Sequence, residues 1–442
     1  MFFSDLVESS YSVYKERRES LVKEVIKENN VKNGLILFFG DFEKGESISF
    51  EQESTVYYFS GLKEPGLVLA IEFNDEGSKS IILIPNMVED RKKWFGDAIE
   101  ANEKDAAIFY IDKIDFLGDK LSGATFDRYF DKQVYENILN IISVAVKNGA
   151  KIFAQKNNVR SSDQRFILDR IGQFLPEISS LEGNIIDIYG IVSKMRRKKD
   201  LFEIGKISEA INLTAVAHES GARIISEDGT ECEVQAAVEF VFTAAGAKRA
   251  YCTIVACGRN AIALHYNDNS DDLSAGDLVV IDAGAKVDGY CADITRTYPV
   301  SGSFTKRQEE LYNIVLEAQK YIASIAKPGY YLKNYDYPEK CLTSLTKEFF
   351  KKYGLEKYFI HGIGHFLGLD VHDIGGLKSP IQEGDVITIE PGLYIPEESI
   401  GIRIEDNYWI TGNKAICLSD MIPKEPAEIC EFMKNGLSQD QE

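Results

Sequence analysis

The segment HGIGHFLGLDVHD, residues 361–373, gathers three of the five histidines in a chain of 442 residues. Imidazoles bind metals, move protons and stabilise developing negative charge near neutral pH. His361 and His365 are four apart, the spacing at which a helix puts both on one face, as in zinc proteases built on HExxH. Here no Glu follows the first histidine, and Gly362 and Gly364 lie between the pair. Two glycines cost a helix about 1 kcal/mol each relative to Ala, so a loop or strand is expected. Metal partners for these histidines must come from elsewhere in the chain.

DLVVIDAGAKVDGYCADITRTYPV (277–300) offers the first candidates. Asp288-Gly289 reads as a two-residue hairpin turn between two strand-like runs. With that turn, Lys286 pairs with Cys291 and Gly284 with Asp293. Side chains alternate with period two, so Asp282 and Asp293 share a face, within roughly 5–8 Å. Carboxylates that close repel unless a cation balances them or one stays protonated. VITIEPGLYI (386–395) and GIRIEDNYWI (401–410) read as two further strands. Their alternation turns Glu390 and Glu405 towards a common side of a sheet. Arg403 shares the face of Glu405, where it would hold a carboxylate ionised or position it. Asp282, Asp293, His365, Glu390 and Glu405 make four carboxylates and one imidazole, the inventory of a dinuclear metal site. Oxygen-rich donors with one nitrogen favour manganese, cobalt or zinc over a thiolate-seeking metal.

The elements that must position these groups fall in two halves. An amphipathic helix over 11–30 precedes strand-like runs at 34–40, 55–62, 66–73, 80–86 and 107–114. A helical stretch at about 127–148 and a strand at 151–157 follow, giving an α/β domain over 1–182 and a second, catalytic domain over 183–442. The basic cluster MRRKKD (195–200) at the junction is expected to be a solvated helix entry. Leu201, Ile204, Ile207 and Ile211 then mark a helix. Thr230 with Glu233 and Thr305 with Gln308 form capping boxes, and KPG at 327–329 ends the second of these helices. Strand signals at 251–257, 278–283, 291–298, 386–395 and 401–411 point to a mainly antiparallel sheet, an α+β arrangement.

Composition narrows the partners. A formal net charge of −20 argues against nucleic acid, which needs clustered Lys and Arg. No run reaches the roughly 18 apolar residues of a membrane helix, and the first residues lack a basic n-region with an apolar core. Seven scattered cysteines with no CxxC read as free thiols of a cytoplasmic protein.

The chain resembles the pita-bread (creatinase/aminopeptidase) metallopeptidases, in their proline-specific branch. HGIGHFLGLDVHD, IVACGRNAIALHYNDN (254–269), the 277–300 hairpin, VITIEPGLYIP and GIRIEDNYWIT carry the resemblance, in the family's order. YKERRESL (14–21), TVYYFSGLKEPG (55–66) and the Trp94–Gly96 stretch resemble the N-terminal domain of Xaa-Pro aminopeptidases. The resemblance implies hydrolysis of the bond between an N-terminal residue and a following proline, in peptides with proline second. An Xaa-Pro dipeptidase (prolidase) is the alternative, and a non-catalytic pita-bread interaction module a more distant one. It implies two divalent ions, Mn²⁺ first with Co²⁺ or Zn²⁺ as alternatives, on Asp282, Asp293, His365, Glu390 and Glu405. It gives Glu390 a proton-shuttling role and places His372 at the scissile carbonyl. It sets His265 and His361 on the proline side, Arg403 beside the last ligand and Tyr394 near the substrate. It also implies a homo-oligomer, dimer or tetramer.

Overall fold

The computed structural model describes residues 3–45, 48–87, 99–121, 126–156, 161–175 and 185–436. The Trp94–Gly96 stretch lies outside these described residues. The chain divides into two units, Met1–Met195 and Arg196–Glu442. The division falls later than residue 182 because strand Ile185–Asp187 joins the sheet of the first unit.

The first unit comprises α1 (Phe3–Asn29), β1 (Gly34–Phe39), α2 (Ser54–Ser60), β2 (Val68–Asn74), β3 (Gly77–Met87), α3 (Glu103–Ile108), β4 (Lys113–Leu121), α4 (Glu136–Lys147), β5 (Lys151–Ala154), α5 (Ser162–Phe174) and β6 (Ile185–Asp187). Its sheet runs β4-β3-β2-β1-β5-β6. The β1–β2 and β2–β3 pairs are antiparallel, and the others parallel. Every residue of β1 is buried, as a strand covered on both faces requires. Two strand expectations fail here. TVYYFSGL, rich in β-formers, is the helix α2. Glu53 caps its start by accepting from the Val56 N–H, and Gly61 ends it in the left-handed region at φ 71°. Residues 107–114 straddle the end of α3 and the start of β4, because Asn102 caps a helix that takes in Ala107 and Ile108. In α1, buried Arg17 and Arg18 of YKERRESL donate to the Tyr58 and Phe59 carbonyls at 3.3 and 2.8 Å.

Helix α6 (Tyr189–Arg197) leads into the second unit, where Asp200 and Glu203 form a capping box for α7 (Leu201–Ile224). The expected boxes at Thr230/Glu233 and Thr305/Gln308 start α8 (Glu231–Ala244) and α9 (Lys306–Ile325). Further on lie α10 (Leu342–Lys351) and α11 (Pro426–Asn435). The strands are β7 (Lys248–Arg249), β8 (Ile254–Cys257), β9 (Leu278–Ala283), β10 (Ala285–Val287), β11 (Tyr290–Cys291), β12 (Ile294–Pro299), β13 (Val386–Ile389), β14 (Gly392–Ile395), β15 (Ile400–Arg403), β16 (Asp406–Ile410) and β17 (Ala415–Cys417). They form small sheets ordered β11-β10-β7, β12-β9-β8, β13-β16-β17 and β14-β15, all antiparallel. The two long strands expected at 386–395 and 401–411 are each broken in two, at Glu390–Pro391 and at Ile404–Glu405. Both glutamates therefore sit at strand breaks.

MRRKKD is not a solvated helix entry. Arg196, Arg197 and Lys199 are buried, because the second unit supplies Asp370, Asp373 and Asp385 as partners.

Candidate active site

The hairpin forms in the expected register. Asp288 and Gly289 both take positive φ, 48° and 87°, as a type I′ turn requires. Lys286 pairs with Cys291, and Asp282 with Thr295, so one register runs through the break at Gly284. A Cβ on Gly284 would lie 1.9 Å from the Ala292 carbonyl oxygen, so only glycine lets the arms close there. Asp282 and Asp293 face the same hydroxyl, that of Tyr251, whose oxygen lies 2.6 Å from a carboxylate oxygen of each. Asn407 clasps the Asp293 backbone, accepting from its N–H at 3.2 Å and donating to its carbonyl at 2.5 Å.

HGIGHF runs extended beside β13, not as a helix. The His365 carbonyl accepts from the Thr388 N–H, and Ile363 accepts from Glu390, both at 2.9 Å. This sets His365 against Glu390, with Nε2 to Oε1 at 3.6 Å and Nε2 to the Asp293 Oδ2 at 3.2 Å. Donor atoms of Asp293, His365 and Glu405 all lie within 4.8 Å of one another. Thr295 donates to Glu405 at 2.6 Å. Arg403 does not bond Glu405 directly. It donates to Asp282 at 2.5 Å, to the Thr295 hydroxyl at 3.1 Å and to the Tyr394 hydroxyl at 3.1 Å.

The charges do not balance on protein groups alone. The Tyr251 hydroxyl has one hydrogen for two carboxylates. Burial and the Asp282 charge push Asp293 up, and burial with three neighbouring carboxylates pushes Glu405 well up. Burial raises Glu390 to about 7, with Asp293 adding to the shift. Burial opposes charge on His365, yet Asp293 and Glu390 outweigh it and raise the imidazole to about 9. His365 Nδ1 donates to the Phe366 carbonyl at 3.1 Å and Nε2 faces Asp293 and Glu390, so a cation displacing the Nε2 proton would leave the Nδ1–H tautomer. Such a tautomer, held by a carbonyl and aimed among carboxylates, suits a metal cation. The residues present fit the expected metal.

His361 is different. Its Nδ1 donates to the Gly362 carbonyl at 2.7 Å, leaving Nε2 to accept from the Tyr394 hydroxyl at 3.0 Å. Burial, with Arg403 nearby, lowers it to about 4, so it is neutral. A pocket of about 360 Å³ is lined by the five expected ligands together with His265, His361, His372, Tyr394 and Arg403. His372 is exposed in it, its ring edge-on to that of His365 at 4.2 Å. His265 is also exposed, on a loop anchored by buried Glu231, which accepts from the Cys257 N–H, Asn260, the Tyr266 hydroxyl and the Asp271 N–H. Tyr251, Thr295 and Glu231 have no local sequence signal. Only cross-strand or loop packing shows them.

A buried acidic cluster around one imidazole, with three further histidines in the same pocket, defines a metal-dependent enzyme. Comparison narrows the class. Residues 205–412 match metallopeptidase family M24, and residues 14–125 match the aminopeptidase P N-terminal domain. The chain is 31% identical to the Xaa-Pro aminopeptidase of Escherichia coli over 456 residues, which cover 96% of this chain and 98% of that protein. It is 40% identical over 230 residues to the Xaa-Pro dipeptidase of Pyrococcus furiosus, covering 51% of this chain and 64% of that one. The structure of aminopeptidase P from E. coli with the inhibitor Pro-Leu aligns with a TM-score of 0.79 at 26% identity, across 96% of this chain and 98% of that chain. The chain belongs to the pita-bread Xaa-Pro aminopeptidase family of M24 metallopeptidases, with an α/β domain preceding the catalytic α+β fold.

Proposed function

We propose that this metallopeptidase removes the residue that precedes proline from peptides with proline in second position. The observation that carries the reading is the extent of the similarity. It runs through both units for the E. coli Xaa-Pro aminopeptidase, but spans 51% of this chain for the dipeptidase. A prolidase is the second reading, favoured by the higher identity of that half, 40%.

Asp282, Asp293, His365, Glu390 and Glu405 would hold two divalent cations, with Mn²⁺ first and Co²⁺ or Zn²⁺ as alternatives. When bound, such cations bring the pKa of a water towards neutrality and polarise a carbonyl. Glu390 takes a proton from the attacking water at its carboxylate and passes it to the proline nitrogen as that bond breaks. His372, exposed in the pocket, donates to the carbonyl oxygen as it gains negative charge. Arg403 acts through others, by holding Asp282 and the Tyr394 hydroxyl. His361 and His265 line the proline side. The scissile nitrogen carries no N–H, so that side requires shape and not a hydrogen-bond acceptor. A cytoplasmic location, supported by free cysteines, and a dimeric or tetrameric assembly complete the proposal.

The test offers the purified protein an Xaa-Pro dipeptide and an Xaa-Pro-Yaa tripeptide with Mn²⁺, Co²⁺ or Zn²⁺, and counts bound metal. Tripeptide cleavage supports the aminopeptidase, and dipeptide-only cleavage the prolidase. Cleavage of neither would sink both.

A further inference from the structure

Arg196 and Lys199 have no part in the chemistry above, yet both are buried against the loop that carries His372. The Asp373 carboxylate is held from both sides, by Lys199 Nζ at 2.8 Å and by Arg196 at 2.5 Å. The side chains of Lys199 and Asp373 are each 1% exposed. Arg196 also reaches Asp370 at 3.0 Å, so two cations face two carboxylates. Gly368 leaves the room this pair needs, because a Cβ there would lie 2.2 Å from the Asp373 Oδ2 and 2.9 Å from Lys199 Nζ. The loop is closed on itself as well. The Asp373 N–H donates to the Phe366 carbonyl at 2.8 Å, the same carbonyl that accepts from the His365 ring. Gly368 accepts from the Cys291 N–H of the hairpin at 2.8 Å.

Adjacent residues thus point opposite ways: Asp373 is buried and His372 is exposed in the pocket. An exposed imidazole holds one position only if its backbone is fixed. Buried ion pairs add little net stability over apolar packing of the same volume. What this pair supplies is a fixed geometry.

We propose that Arg196 and Lys199, through Asp373, are positioning residues that set the His372 imidazole for turnover. This rests on the reading of His372 as the group that faces the scissile carbonyl. An error of about 1 Å in such a group costs up to about 100-fold in rate.

The experiment is a double-mutant cycle on the full-length, metal-loaded protein, with an Xaa-Pro-Yaa tripeptide as substrate. Lys199→Met is expected to lower kcat about tenfold or more, with KM within about twofold and bound metal unchanged. In a His372→Ala background the same change is expected to alter kcat by less than about twofold, because the group it positions is gone. Lys199→Arg, which keeps the charge, is expected to recover part of the loss. If Lys199→Met fails to fold, Asp370→Asn removes the outer arm, whose side chain is 30% exposed. Its fall in kcat must likewise vanish in the His372→Ala background. Wild-type kcat in Lys199→Met overturns the clamp, and so does an equal loss in both backgrounds. Wild-type kcat in His372→Ala overturns the reading of that histidine, and the clamp with it.

Discussion

Gly364→Ala is expected to damage the site while Gly362→Ala, two residues earlier in the same segment, is not. A Cβ on Gly364 would lie 2.1 Å from the Thr388 carbonyl oxygen and 2.9 Å from its hydroxyl. Ordinary contact needs about 1.3 Å more room, and the atom in the way is backbone. The strain falls on a ladder of three hydrogen bonds at 2.9 Å, from Leu367 to Val386, Thr388 to His365 and Glu390 to Ile363. Overpacking costs about 1–3 kcal/mol and each hydrogen bond lost about 1 kcal/mol, so with one to three bonds lost the sum is about 2–6 kcal/mol. The same separation moves His365 away from Glu390, so metal affinity falls too. A Cβ on Gly362 meets nothing nearer than the Thr343 hydroxyl at 3.9 Å. That variant is expected within about 0.5 kcal/mol of wild type, or slightly stabilised by the stiffer unfolded chain. Urea unfolding gives the stabilities, and equilibrium dialysis with Mn²⁺ gives the affinities. Equal behaviour of the two variants, in either direction, would refute the reasoning.

Asp282→Ala, Glu390→Ala and His365→Ala are each expected to abolish turnover, while His361→Ala keeps its bound metal; metal loss from His361→Ala would show the ligand set to be wrong. Chelation is expected to lower Tm, since it leaves four crowded carboxylates uncompensated; an unchanged Tm would mean no metal was held there. His218 is a core histidine, bonded to the Ile294 carbonyl and the Tyr298 hydroxyl, which burial and then Arg296 lower to about 4. Its folded pKa lies below the unfolded 6.5, so its stabilising contribution is full above pH 6.5 and is lost as pH falls towards 4. That loss amounts to about 3 kcal/mol. Urea midpoints across this window should fall less steeply in His218→Gln, and parallel slopes would remove His218 as the cause.

Parts of this structure could be read locally and parts could not. The 277–300 hairpin was legible because a two-residue turn and a period of two settle which side chains share a face. Helices α8 and α9 were legible from their capping boxes. TVYYFSGL misled because its β-formers were outweighed by the Glu53 cap, the Gly61 stop and burial of every helix residue after Ser54. Pro391-Gly392 marks the break after Glu390, whereas the break at Glu405 leaves no mark in the alternation. MRRKKD misled for a different reason. Its partners lie 174 to 188 residues away, and a charge run looks solvated until they are seen.

That distance bears on how the molecule can be dissected. The match to the M24 family begins at residue 205, beyond the buried cations at 196, 197 and 199. A fragment cut to the matched span would keep all five expected ligands and still be crippled. It would strand Asp373 and Asp385 in the interior with no counter-charge, and a buried pair that loses one partner costs about 3–5 kcal/mol. A catalytic fragment must therefore start within or before helix Tyr189–Arg197, on residues that no inventory of the chemistry would include.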